Sequence, residues 1–172
     1  EVETQIVELG EQAAYETGTH GLHPEIIKLI GRMKWRTSYG QNILDHSKEV
    51  AHLAGIMAAE LGLDVAMAKR GALLHDIGKG IDPRDHVAAG LEALEGFISQ
   101  RTAWLIEHHM EAHKILDGTI GSRAHRRLRE NESYEELLLL CGCDRGGRVP
   151  GVQTIELESA IEYVRDLDYS FD

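Results

Sequence analysis

Aromatic residues are scarce in this chain: Phe, Trp and Tyr together make up 5% of its 172 residues. A core of useful size has to be built from Leu, Ile, Val, Ala and Met, which points to helices. Cysteine is scarcer still. Cys141 and Cys143 stand two apart with no second pair, which supports neither a disulfide framework nor a zinc ribbon and predicts reduced, partly buried thiols. No stretch approaches the roughly 18 apolar residues of a membrane span, and none reads as a signal peptide. The expectation is a soluble, cytoplasmic chain with no membrane partner. Basic residues are outnumbered, 18 Lys and Arg against 29 Asp and Glu, for a net charge of -11. Such a surface repels nucleic acid unless a local basic patch offsets it, and a phosphate-bearing substrate would need metal or local Lys and Arg to be held. The length fits one domain with a real core. A start at Glu1 rather than Met is expected of a trimmed chain or of part of a longer one.

What is present is organised around Ala72 to Gly80, which reads ALLHDIGKG. A hydrophobic helical stretch runs into His75 and Asp76 and is stopped by Gly78, leaving an imidazole and a carboxylate side by side with Lys79 close behind. Imidazole and carboxylate together accept a divalent transition metal, and one carboxylate can bridge two. An ammonium nearby could hold a phosphate or protonate a leaving group. A lone His-Asp pair is as well explained by a helix-end His over a capping Asp, so the weight falls on whether further ligands exist.

The flanking segments supply them. Two short amphipathic helices are expected over Val2 to Thr17 and, opened by Pro24, Glu25 to Met33; His20 and His23 between them read as structural or exposed, and Lys28, Arg32, Lys34 and Arg36 as a solvated face. Ser38 with Gln41 has the spacing of a capping box, and Ile43, Val50, Leu53, Met57 and Leu61 fall on one helical face ending at Gly62. His46 shares that face and His52 does not. Asp64 can cap a following helix that ends in His75 and Asp76, and a tight turn between the two helices would bring His46 toward that pair. Asp85 can cap a helix from His86 through Phe97, placing the His86 imidazole at a helix end from which it can fold back onto the site.

A further helix from about Arg101 to Leu116 carries His108, His109 and His113. Adjacent helical residues diverge by about 100°, so one of His108 and His109 can enter a site while the other lies beside it. His109 and His113 are spaced to bind zinc, but no Glu stands where a metalloprotease needs one. The segment GTIGSRAHRRLRENES, with Arg123, Arg126, Arg127 and Arg129, reads as a loop and solvated helix turn, or as a lid that gathers substrate phosphates. Ser133 and Glu136 have capping-box spacing ahead of a helix in which Leu137, Leu140, Cys141 and Asp144 recur on one buried face. A buried carboxylate is costly without a partner, and a metal is a partner that removes the cost. Arg145 and Arg148 follow. A last helix, about Thr154 to Leu167, looks like core closure.

The ordered set His46, His75-Asp76, His86, His108/His109 and Asp144 resembles the HD superfamily of metal-dependent phosphohydrolases. That resemblance implies an all-α fold, a single HD-domain helical bundle over 1–172, with a helical extension over 1–35, a metal-site core over 36–150 and a C-terminal helix over 151–172. It implies His46, His75, Asp76 and Asp144 as metal ligands. The two-metal HDIG variant adds histidines like His86 and His108 or His109; we assign His113 no ligand role. The implied chemistry is hydrolysis of a phosphomonoester or phosphodiester of a nucleotide-like substrate by a metal-bound hydroxide, with Asp76 bridging, Lys79 neutralising phosphoryl charge, and Lys79, Arg145 and Arg148 holding substrate. The donor set favours manganese or iron, with magnesium, nickel and zinc compatible.

Within the superfamily, residues from about Leu9 to Lys79, including GTHGLHPEIIKLIGRMKWRTSYGQNILDHSKEVAHLAG, resemble the catalytic domain of the ribonuclease Y family. The match fades after Lys79, and DRGGRVPG resembles HD domains linked to tRNA nucleotidyltransferases. The ribonuclease Y family carries a membrane anchor, a coiled coil and an RNA-binding KH module ahead of this domain, and none is read in this sequence. An endoribonuclease is therefore the second functional expectation, and a non-catalytic nucleotide-sensing domain the third.

Overall fold

Helix signals dominate the sequence, and helices dominate the computed structural model, which describes residues 2–147. Arg148 and the helix expected over 154–167 lie outside the described residues. The elements in order are α1 (Val2–Glu16), α2 (Pro24–Arg32), a 3-10 turn (Met33–Trp35), β1 (Thr37–Ser38), β2 (Gln41–Asn42), α3 (Ile43–Glu60), α4 (Val65–Leu74), a second 3-10 turn (Ile77–Gly80), α5 (His86–Leu94), α6 (Gln100–Leu116), α7 (Ser122–Arg129) and α8 (Tyr134–Gly146). The fold is all-α apart from one hairpin, in which β1 and β2 pair antiparallel with Thr37 opposite Asn42 and Ser38 opposite Gln41.

Several starts follow the expected chemistry. Asp64 accepts from the Met67 N–H and Asp85 from the Ala88 N–H, each satisfying an orphan donor of a first turn. Ser38 does not cap α3. The segment from 37 to 42 is extended, and the cap moves to Asn42, whose Oδ1 accepts from Leu44 N at 3.1 Å and Asp45 N at 3.2 Å. Ser133 does not cap α8 either; its Oγ accepts from Arg101 Nε at 2.9 Å, and the same guanidinium donates to Glu136 at 2.8 Å. Two other boundaries differ. α5 stops at Leu94, because Gly96 at φ +77 turns the chain and Phe97 leaves to stack on His23 at 4.2 Å. The basic segment expected as a loop and solvated helix turn forms a two-turn helix, α7, anchored by buried Leu128.

The largest difference concerns α3. Its buried face is Ile43, Leu44, His46, Ser47, Val50, Ala51, Ala54, Gly55 and Ala58, whereas Leu53, Met57 and Leu61 are exposed. Small residues won over large ones because α4 runs close alongside: a Cβ on Gly55 would overlap the Lys69 stem. The core between the helices is filled by fully buried Leu73, Leu74 and Ile77 with Leu105, Ile106 and Leu137. Ahead of it, α1 and α2 cross in backbone contact, since a Cβ on Gly10 or Gly31 would overlap Ile27 O or Ile6 O. Cys141 and Cys143 are buried thiols that form no disulfide, and burial pushes the Cys143 thiol up to about 11. Among the described residues, no helix is long and apolar enough to cross a membrane.

Candidate metal centre

Five helices and one turn converge on Asp76. α3 presents His46 on its buried face, α4 ends at His75, the 3-10 turn begins after Asp76, α5 begins at His86, and α6 and α8 bring His109 and Asp144. His46, His75, Asp76, His109 and Asp144 are all buried. Their ligand atoms fall into two groups, His46, His75, Asp76 and Asp144 in one and Asp76, His86 and His109 in the other, each within 4.8 Å.

The position of His86 has a backbone cause. Gly78 lies against the first turn of α5, so that a Cβ there would overlap the carbonyl oxygen of His86 and crowd Gly90 N. Only glycine permits that approach. It seats the start of α5 directly on the turn that follows Asp76, with the His86 imidazole 3.5 Å from Asp76 Oδ1.

Asp76 faces both groups at once. Its Oδ2 lies 3.4 Å from His75 Nε2, and its Oδ1 lies 3.5 Å from His86 Nε2 and 3.9 Å from His109 Nε2. In the first group, Asp144 Oδ1 is 2.8 Å from His46 Nε2 and 3.5 Å from His75 Nε2. In the second, the His86 and His109 Nε2 atoms are 3.2 Å apart. Two donors that each bind one ion at about 2.1 Å stand roughly 3.0 to 3.4 Å from each other, and the 3.2 to 3.5 Å spacings in each group lie close to that range.

Protonation favours the same reading. His75 Nδ1 donates to Ala72 O at 2.7 Å, and its Nε2 is buried without a hydrogen bond while facing two carboxylates. Burial opposes a charge there, but Asp76 and Asp144 outweigh it and push the His75 imidazole up to about 10. That is a position calling for a cation, which a proton or a metal ion on Nε2 can supply. Burial would raise Asp76 and Asp144, yet His75 and Lys79 hold the first, and His113, His46 and His75 the second, well below the usual carboxylate range. His109 is pushed down to about 3 by burial and by His75, and burial lowers His86 against the pull of Asp76. Neutral imidazoles and ionised carboxylates are the forms that bind metal. The residues present therefore fit one divalent ion in each group, with Asp76 common to both.

The other expected site residues divide. Lys79 is buried and donates to Asp76 Oδ2 at 2.6 Å. His108 is not in either group: its Nδ1 donates to Trp104 O at 2.9 Å and its ring stacks on Trp104 at 4.7 Å. The 100° between neighbours sends His109 inward and His108 to the outer side of α6. Arg145 donates to Asp117 through Nη2 and to His113 Nδ1 through Nε. Arg148 is outside the described residues.

His113, to which the sequence reading assigns no ligand role, touches one of the candidate ligands. His113 Nε2 donates to Asp144 Oδ2 at 2.9 Å while its Nδ1 accepts from Arg145 at 3.3 Å. The signal was available, because His113 lies one helical turn beyond His109 on the same face of α6. Partners of this kind orient a ligand, and losing one costs about 10- to 100-fold in metal affinity. A metal titration of His113→Ala should show that weakening with the full number of ions still bound at saturation; unchanged affinity would make the contact incidental.

Comparison with known proteins places this geometry in a family. The HD domain family model matches residues 43–145, which takes in every residue of the two groups. Relatives named Ribonuclease Y match at 44% identity over 171 residues in Desulforamulus reducens and 45% over 171 in Syntrophomonas wolfei, each over 98% of this chain and 30% of the relative. Ribonuclease Y of Clostridium novyi is 44% identical over 168 residues, again 98% of this chain and 31% of the relative. The similarity thus continues well past Lys79, beyond the stretch that carries it most visibly to the eye, and the chain spans about 30% of the length of these relatives. The chain belongs to the HD domain family.

Proposed function

We propose that this chain is a metal-dependent phosphohydrolase that cleaves a phosphomonoester or phosphodiester in a nucleotide-like substrate. The observation that carries the reading is Asp76, whose two oxygens face two separate sets of imidazoles. His46, His75, Asp76 and Asp144 would hold one divalent ion, and Asp76, His86 and His109 would hold another. A pair of such ions, when bound, supplies an acidified water as nucleophile and positive charge for the phosphoryl oxygens. The second group offers three protein donors, which leaves coordination positions for water and substrate. His75 and His109 keep their Nε2 atoms aimed inward by donating through Nδ1 to their own helices. Lys79 holds Asp76 in place and is the cation nearest to it, suited to a phosphoryl oxygen.

A second reading, an endoribonuclease, is favoured by the relatives' name and by one surface. The chain is acidic, but α7 has the sequence SRAHRRLR without a single acid. Arg127 pairs with Glu111. Arg126 and Arg129 line a groove of about 520 Å³ with Ile120, Ser122, His125 and one acid, Glu130. A local basic surface of this kind offsets the net charge where a polyanion would lie.

The test is metal analysis of the purified protein followed by a hydrolysis screen over nucleotides, cyclic dinucleotides and short RNA. The expected result is turnover of at least one phosphate ester that is lost on chelation and restored by manganese. A fully metal-loaded protein that hydrolyses none of them would overturn the reading and leave nucleotide sensing. Run across salt, the same screen separates substrates: binding to a polyanion weakens steeply as counterions are released, whereas a small phosphate held mainly by metal shows a shallow dependence.

A further inference from the structure

Tyr39 occupies a position that a tyrosine fits poorly. It stands at the tip of the β1–β2 hairpin with φ +52, followed by Gly40 at φ +80. Two consecutive left-handed residues are what a tight two-residue hairpin loop requires, and Asn or Gly fills the first place without steric penalty. The core does not include the ring, which is 84% exposed. The turn alone gives no reason for an aromatic side chain here.

Its surroundings do. Tyr39 lines the narrow cleft that also contains His46, Asp76 and Lys79. Lys79 Nζ lies 5.9 Å from the centre of the Tyr39 ring and 2.6 Å from Asp76 Oδ2. This exposed ring therefore lies under the cation that adjoins the two candidate metal groups, at a separation comparable to that between a nucleobase and its phosphate. The hairpin is held against the same end of the bundle, since Gln41 Nε2 donates to Gly147 O at 2.8 Å and Asn42 caps α3.

We propose that Tyr39 is a stacking platform for a nucleobase of the substrate, with the attached phosphate at the mouth of the cleft, on the side of Lys79. The inference rests on the reading that the substrate carries a nucleotide. Every base has a π-face, so a single ring accepts any of them and confers preference for nucleotides over bare phosphate esters without selecting sequence. Tyr39 would then set specificity, while the metal groups and Lys79 act on the phosphate.

The test compares a labelled single-stranded hexauridylate with an abasic strand carrying the same phosphates, bound at low salt in chelator so that turnover does not intervene. Tyr39→Gly suits the turn better than tyrosine, so the variant should fold and melt no lower than the parent. It should bind hexauridylate about 5- to 100-fold more weakly and the abasic strand with unchanged affinity, and Tyr39→Trp should restore the difference. Equal binding of the two strands by the unmodified protein, no binding of either, or a Tyr39→Gly effect equal on both would overturn the proposal. A base-dependent difference in a protein that hydrolyses nothing in the metal screen would sink the phosphohydrolase reading and leave the platform standing.

Discussion

Asp76→Ala should remove bound metal and hydrolysis together, with activity falling by about 1,000-fold or more. The argument is geometric. Each of the other candidate ligands serves one group, whereas the Asp76 oxygens lie 3.4 Å from His75 on one side and 3.5 Å from His86 on the other. Removing the carboxylate also leaves the Lys79 ammonium buried beside His75 without its 2.6 Å partner. Unpairing a buried charge costs about 3 to 5 kcal/mol, so the alanine variant should melt lower than the parent. Asp76→Asn keeps the shape and a hydrogen-bond acceptor for Lys79, and should separate the two effects. Circular dichroism checks that the helices persist, and metal analysis checks the site. Full metal content in both variants would remove Asp76 from the centre.

His86→Ala should leave about one ion per chain and lose most hydrolysis. The first group, His46, His75, Asp76 and Asp144, is complete without His86. The second would fall to Asp76 and His109, too few to hold an ion at ordinary concentrations. Because α5 is capped by the Asp85 side chain and seated by the Gly78 backbone contact, deleting the imidazole should not disturb the helix. The lost activity would then reflect the loss of one of two charges that acidify and position the attacking water. A variant with unchanged metal content and rate would reduce the centre to one ion and make His86 a structural histidine.

Much of this site could be read from local chemistry. Asp64 and Asp85 announce helix starts, and the starts fix where His75 and His86 fall. The period of α8 carries Asp144 into the core on the same face as Leu137, Leu140 and Cys141, and Asp144 is indeed buried. What could not be read is decided by neighbours distant in sequence. The apolar pattern of α3 points Leu53, Met57 and Leu61 inward, but the close passage of α4 selects Ala51, Ala54 and Ala58 instead. Which of His108 and His109 turns inward depends on the roll of α6 against α8. His113 gains its meaning only when Asp144, 31 residues later, arrives beside it. Ser38 and Ser133 each had the spacing of a cap, and each lost that role to tertiary partners: the hairpin in one case, Arg101 in the other.

The intrahelical tethers of His75 and His109 have a consequence for how an ion would arrive. Each ring donates its Nδ1 proton to the carbonyl three residues earlier, Ala72 at 2.7 Å and Ile106 at 2.6 Å. Both rings are buried among core residues. Their tautomer and rotamer are fixed as the helices pack. Immobilising a side chain at the moment of association costs about 0.5 to 1.5 kcal/mol, and here that ordering has already taken place during folding. An arriving ion would therefore meet two imidazoles already aimed at it, with neither ring having to reorient on binding.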